Sequence, residues 1–155
     1  MSRRRKPGPF EPKKRARRRA LQALYQWQFN DSTATAIIEQ FLIEQNFSGV
    51  DETFFKTLVR EVVANHAALD EAFAPYLDRA ESTLDQMERA ILRLAACELA
   101  YHPETPYRVV IDEAVDLAHR FGAEQAHTFI NSVVDRLAHK LRSVEIGLEA
   151  DSRPK

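Results

Sequence analysis

A chain of 155 residues, 45% of them hydrophobic and with a formal net charge of −1, has the size and composition of one soluble globular domain with or without a tail. Its single cysteine, Cys97, excludes a disulfide scaffold and a cysteine-rich zinc site. The longest charge-free stretch, Ala20–Asn30, falls well short of the about 20 apolar residues that a membrane-spanning helix needs.

The small total charge conceals a split. Residues 1–19 hold ten basic residues against one acid, a balance of +9, which leaves −10 for the remainder. Such asymmetry points to a nucleic-acid or membrane partner. The basic start leads into no apolar core and no small-residue cleavage site, so it does not read as a secretory signal. The expected location is cytoplasmic.

Residues 1–12 contain Pro7, Pro9 and Pro12 and almost nothing apolar, and they read as a disordered basic arm. Pro12 suits the first turn of a helix. Ala16, Ala20, Leu24 and Trp27 follow at helical spacing, and this first helix is predicted to end near Asn30, where Asp31-Ser32 breaks it. Ile37, Ile38, Phe41, Leu42 and Gln45 mark a short second helix ending around Ser48-Gly49. Asp51 can cap a third, whose stripe runs Phe55, Leu58, Val59, Val62, Val63, His66 and Leu69 and which Pro75 limits. Ser82 and Asp85 stand in capping-box spacing before a fourth helix, roughly 83–101, apolar on most sides. Thr105-Pro106 opens the fifth, with Ile111, Ala114, Val115, Ala118 and Phe121 inward and Gly122 at its end. Ala126, Phe129, Ile130, Val133, Val134, Leu137 and Leu141 line the sixth, and residues 143–155 read as a flexible tail. No window alternates apolar and polar residues as a strand would. The predicted fold is all-α, with six to seven helices joined by short connections.

The first helix carries the strongest chemical signal. Arg15, Arg18, Gln22 and Gln26 are spaced to share one face, with Lys14 and Arg19 beside it. Arginine binds phosphate through paired hydrogen bonds, and glutamine amides can read base edges. Tyr25, on the adjacent stripe, can stack on a base or pack. A basic arm running into such a helix is of the kind that orders on RNA. Composition does not separate RNA from DNA, so a helical DNA-binding protein with a basic arm is the alternative, and a solvated basic face is the plainer one. Adsorption to a lipid surface fits less well, because the core needs the same apolar face.

Catalytic signals are weak. Asp112, Glu113 and Asp116 fit a solvated helix face. Glu98 lies in an apolar helix, where a buried ion pair with an arginine such as Arg93 is expected. The histidines show no metalloprotease spacing, and neither a glycine-rich phosphate loop nor a nucleophile elbow occurs. Cys97 reads as a core thiol. No enzymatic activity, cofactor or metal is expected. Phe121 and Phe129 match core stripes, although Phe129 lies early enough in its helix for a ring edge to reach solvent.

The stretch Arg-Ala-Arg-Arg-Arg-Ala-Leu-Gln-Ala-Leu-Tyr-Gln-Trp-Gln at 15–28 resembles the opening helix of the NusB family of bacterial transcription antitermination factors. The resemblance continues through Met87–Ala95, Pro106–Ala114 and Arg120–Glu124, then His127, Phe129, Asn131 and Asp135, and so covers about 15–142. It implies two packed three-helix-like bundles within a helical RNA-binding domain at 13–142, and no catalysis. It also implies binding of single-stranded boxA RNA in ribosomal RNA transcripts. The partner would be a small-subunit ribosomal protein that acts as Nus factor E. Other Nus factors and RNA polymerase would be engaged indirectly, and rRNA transcription and maturation supported. A homodimer of the free protein is a further possibility it raises. By matching position, Lys13, Lys14, Arg15, Arg17 and Phe129 would contact RNA, and Arg18 and Gln22 share the basic face of the same helix. Tyr25, Glu88 and Arg93 would face the ribosomal protein.

Three features depart from the family pattern. The arm before Lys13 is longer and richer in proline. Gln125 stands where the family often has an acid, which should favour phosphate. Ser132 replaces a small, glycine-like residue. The same fold also begins an RNA cytosine methyltransferase; no catalytic domain follows in this sequence, so a stand-alone factor is expected.

Overall fold

A computed structural model describes residues 10–152; the expectations for residues 1–9 of the arm and 153–155 of the tail lie outside the described residues. Seven α-helices account for most of them: α1 (Glu11–Phe29), α2 (Ala34–Glu44), α3 (Glu52–Phe73), α4 (Gln86–Tyr101), α5 (Tyr107–Phe121), α6 (Ala126–Leu141) and α7 (Ser143–Asp151). Short 3-10 turns follow α3 and precede α4, and the described residues include no strand. The chain divides into two compact units between Ala64 and Asn65. That boundary lies inside α3, where Asn65 has non-helical φ −119° and ψ 15°. The apolar stripe of α3 runs on past this kink, so hydrophobic periodicity gave no sign of it.

In the first unit, α1 begins with proline in its first turn. The predicted disordered arm therefore gives way to helix at Glu11. Ala16, Ala20, Leu21, Ala23 and Leu24 are fully buried, whereas Trp27 is half-buried and donates its indole N–H to the Ser32 carbonyl (3.0 Å). The cap of α2 is Thr33, whose hydroxyl accepts from the Ala36 N–H (3.1 Å). Asp51 caps α3 as its position predicts, accepting from the Phe54 N–H (3.0 Å). Its own N–H donates to the Pro12 carbonyl (3.0 Å), which pins the start of α3 to the first turn of α1. Phe55 is fully buried between Phe41 and Phe47, with ring centroids 6.2 and 4.9 Å away.

In the second unit, α4 is the central rod, buried at every position from Ala90 to Leu99, and α5 and α6 pack on it and on each other. A helix apolar nearly all round requires such a place. Its cap lies three residues beyond Ser82, the first residue of the predicted capping box. Asp85 accepts from the Glu88 N–H (2.7 Å) while Glu88 accepts from the Asp85 N–H (3.1 Å). This is a full capping box, in which each carboxylate satisfies an otherwise orphaned donor. Ser82 instead belongs to the preceding 3-10 turn. Gly122 ends α5 without left-handed geometry. Glycine is needed there because a Cβ would lie 2.6 Å from the Ala118 carbonyl oxygen. Gln125, the residue before α6, takes the left-handed conformation, with φ 73°.

Residues 143–151 are helical where the sequence pattern predicts a flexible tail, and Arg142 supplies the reason. It is buried and spends all five donor positions on acceptors: the carbonyls of Glu98, Leu99, His102 and Thr105, and the Glu145 carboxylate. Three of these carbonyls lie at the C-terminal end of α4, where helical donors run out; those of Glu98 and His102 also accept the backbone N–H groups of His102 and Thr105. Glu145 also accepts from the Tyr107 N–H (3.2 Å), and Glu149 accepts from Arg108 (3.0 Å), so α7 is tied to the start of α5.

Candidate nucleic-acid interface

The basic residues of α1 do not form one uniform solvated face. Lys13 is exposed, with Nζ 5.1 Å from the centroid of the Phe54 ring. Arg17 lies over the same ring at 5.2 Å and is only 4% exposed. Its guanidinium is turned into the first unit, so Arg17 supports the surface more than it presents charge. Arg15 pairs with Glu11 at 3.6 Å and lies against Gly49. Gly49 has φ +73°, and a Cβ there would meet Arg15 Nη1 at 2.4 Å. Arg19 donates to the Asn46 carbonyl (3.2 Å). The loop between α2 and α3 thus orders two of the arginines. Lys14, Arg18 and Gln22 are half-buried on the same helix.

Further along α1, Gln26 donates to the Gln40 side chain (2.9 Å) and is partly used within the fold. Tyr25 is 37% exposed and meets Phe29 edge to face with centroids 5.0 Å apart. Together with Gln22, Gln26, Phe41 and Gln45 they line a groove of about 380 Å³ between α1 and α2. Two adjacent exposed aromatics beside amide side chains form an amphipathic surface suited to a protein partner.

The second unit holds Phe129, Glu88 and Arg93. Phe121 and Phe129 are half-exposed, not core residues as their periodicity suggests. The guanidinium of Arg79 lies over the Phe129 ring, 4.1 Å from its centroid. Arg79 also pairs with the Glu88 carboxylate at 2.5 Å. Glu88 is 6% exposed, occupied by Arg79 and by its capping box. Arg93 is 8% exposed and grips Asp70 through two parallel hydrogen bonds of 2.8 and 2.7 Å. Asp70, on α3, is therefore an acid that answers Arg93, and its place in the chain gave no hint of that pairing. The Asp70 and Arg79 roles were hidden because each partner lies on a different element, and no local spacing records such pairs. Asp112 is exposed, and Glu113 and Asp116 are half-buried. Cys97 is a buried thiol.

No helix among the described residues is long and apolar enough to cross a membrane. The model of the NusB family matches residues 14–139. The chain is 51% identical over 138 residues to the transcription antitermination protein NusB of Xanthomonas euvesicatoria pv. vesicatoria, which covers 89% of this chain and 85% of the relative. It is 52% identical over 133 residues to the protein of the same name from Xanthomonas axonopodis pv. citri, across 86% and 84% of the two chains. Among solved structures, T. maritima NusB superposes with a TM-score of 0.74 at 30% identity, over 83% of this chain and 92% of that one. A crystal structure of antitermination factors NusB and NusE in complex with dsRNA has the same fold, with a TM-score of 0.68 at 24% identity over 82% and 96% of the chains. Family model, sequence relatives and fold agree, and the chain belongs to the NusB family.

Proposed function

We propose that this chain is a transcription antitermination factor that binds single-stranded boxA RNA in ribosomal RNA transcripts together with a small-subunit ribosomal protein, Nus factor E. The observation that carries the reading is the ordered basic surface of α1, joined to family membership. The relatives named above are antitermination proteins, and a protein of this fold has been crystallised with NusE and double-stranded RNA. RNA contacts are proposed for Lys13, Lys14, Arg15, Arg18 and Gln22 on α1 and for Phe129 on α6. Arg17 is proposed to hold this surface from beneath, given its burial over Phe54. For the ribosomal protein, Tyr25 is the proposed contact, at the groove between α1 and α2. Glu88 and Arg93 are proposed to support the fold of the second unit, since both are buried and paired.

The mechanism is electrostatic positioning followed by local base recognition. Lysine and arginine side chains displace counterions from the phosphates, and amide or aromatic side chains meet the bases. Contacts to about four to six phosphates of a single strand give a log–log salt slope of about −3 to −4. Titrating labelled boxA RNA at several salt concentrations tests this. A slope near zero removes the electrostatic element of the proposal. A helical DNA-binding protein is the alternative, and duplex DNA of equal length competing as well as the single-stranded RNA would favour it.

A further inference from the structure

We propose that Arg79 is a stacking platform for an unpaired RNA base, held flat by Phe129 on one side and Glu88 on its edge. The proposal rests on the RNA-binding reading above and adds to it a residue from the connection between α3 and α4. Its guanidinium carbon lies 4.1 Å from the Phe129 ring centroid. Its Nη2 meets Glu88 Oε2 at 2.5 Å. The other oxygen of Glu88 accepts from the Asp85 N–H in the capping box, so the carboxylate is itself fixed by the start of α4. Arg79 is thereby tethered by a ring, by a carboxylate and, through it, by a helix terminus. Its side chain nevertheless remains 37% exposed.

These constraints select among the things an arginine can do for RNA. A free surface arginine loses much side-chain entropy when it is immobilised on a ligand. Arg79 is already ordered, which reduces that loss. Its charge is largely answered by Glu88, so it is a poor added phosphate ligand. Its planar face is what remains to offer, and guanidinium planes stack on unpaired bases. The same geometry revises the part played by Phe129. One of its ring faces is occupied by Arg79, so a base approaching from that side meets the guanidinium and not the phenyl ring. The resulting order would be ring, guanidinium, base.

The test uses the full chain and labelled single-stranded boxA RNA, titrated across a range of salt concentrations. The variants are Arg79→Ala, Arg79→Lys and, as a separate reference, Lys13→Ala combined with Arg18→Ala. Loss of a stacked base should weaken binding roughly tenfold. For both Arg79 variants the plot of log affinity against log salt should shift down parallel to wild type, because lysine keeps the charge but not the plane. A slope shallower by about 0.7 in Arg79→Ala, with recovery in Arg79→Lys, would mark a phosphate contact and overturn the platform. Unchanged affinity in Arg79→Ala alongside weakened binding by the α1 variant would also overturn it, while leaving the RNA-binding reading in place. If neither set weakens binding, both fail. Because Arg79→Ala strips Glu88 of its partner and can disturb folding, a second measurement uses the wild-type protein. A scan of boxA RNAs carrying 2-aminopurine at one position at a time should reveal a position quenched on binding, and that quenching should be lost with Arg79→Lys. Quenching at no position, or the same quenching with Arg79→Lys, would overturn the proposal.

Discussion

Arg142 illustrates how one side chain can set the end of a fold. Its buried guanidinium serves four carbonyls and one carboxylate, and it closes the C-terminal end of α4 while anchoring α7. Removing it takes a donor from each of these five acceptors in a dry site, although the Glu98 and His102 carbonyls keep a backbone N–H. Arg142→Ala should therefore lower stability by about 3 kcal/mol or more, read as a shift in the urea midpoint. An unchanged midpoint would mean that water replaces the guanidinium without loss. Gly49 makes a second prediction at this scale. Its φ of +73° and the proximity of Arg15 both oppose a side chain. Gly49→Ala should cost about 1–2 kcal/mol from backbone conformation alone, and Gly49→Asn less, because asparagine tolerates the left-handed region. Equal melting temperatures for the two variants would contradict this ordering. The sequence pattern carries the second helix on to Ser48-Gly49, whereas α2 ends at Glu44 and Gly49 lies in the loop before α3. Its packing against Arg15, contributed from α1, was not visible in the sequence, because the two residues are distant in the chain.

At the scale of elements, the helices were legible wherever one face carried the periodicity. The apolar stripes of α1, α3, α5 and α6 and the all-round apolarity of α4 each follow from which sides must meet a core. What the pattern did not reveal depends on polar partners brought by other elements. The start of α4 belongs to the reciprocal pair Asp85 and Glu88, not to Ser82. The helix α7 has a weak apolar face, with Val144 and Leu148 exposed, and is held instead by Arg142, Glu145 and Glu149. Hydrophobic periodicity cannot register an element fastened through charges. The basic face of α1 was legible as composition, yet Arg17 turned out to be buried over Phe54. This separates two effects that the sequence merged. Lys13→Ala with Arg18→Ala should reduce the RNA salt slope by about 1 to 1.5 and leave circular dichroism unchanged, as expected for two lost phosphate contacts. Arg17→Ala should instead lower the melting temperature. The reverse pattern would place the phosphate contact at Arg17.

For the molecule as a whole, the net charge of −1 describes no part of it well. Ten of the basic residues lie in the first nineteen positions, and Lys13, Arg15, Arg17 and Arg19 of α1 are ordered by the Glu11 carboxylate, the Phe54 ring and the loop at Asn46 and Gly49. The groove at Tyr25 and Phe29 offers a second kind of surface on the same helix, amphipathic where the first is charged. Two such surfaces suit an adaptor that joins an RNA to a protein. The candidate site was legible in the sequence as far as its charge and its family motifs. The assignment of each residue to contact or support required the pairing of side chains in space. The most direct test is the affinity of this chain for single-stranded boxA RNA, measured alone and with the small-subunit ribosomal protein from the same organism. The proposed function predicts tighter binding by the pair than by the chain alone, by about tenfold or more. Equal affinity with and without the ribosomal protein, or binding no stronger than to duplex DNA of the same length, would contradict it.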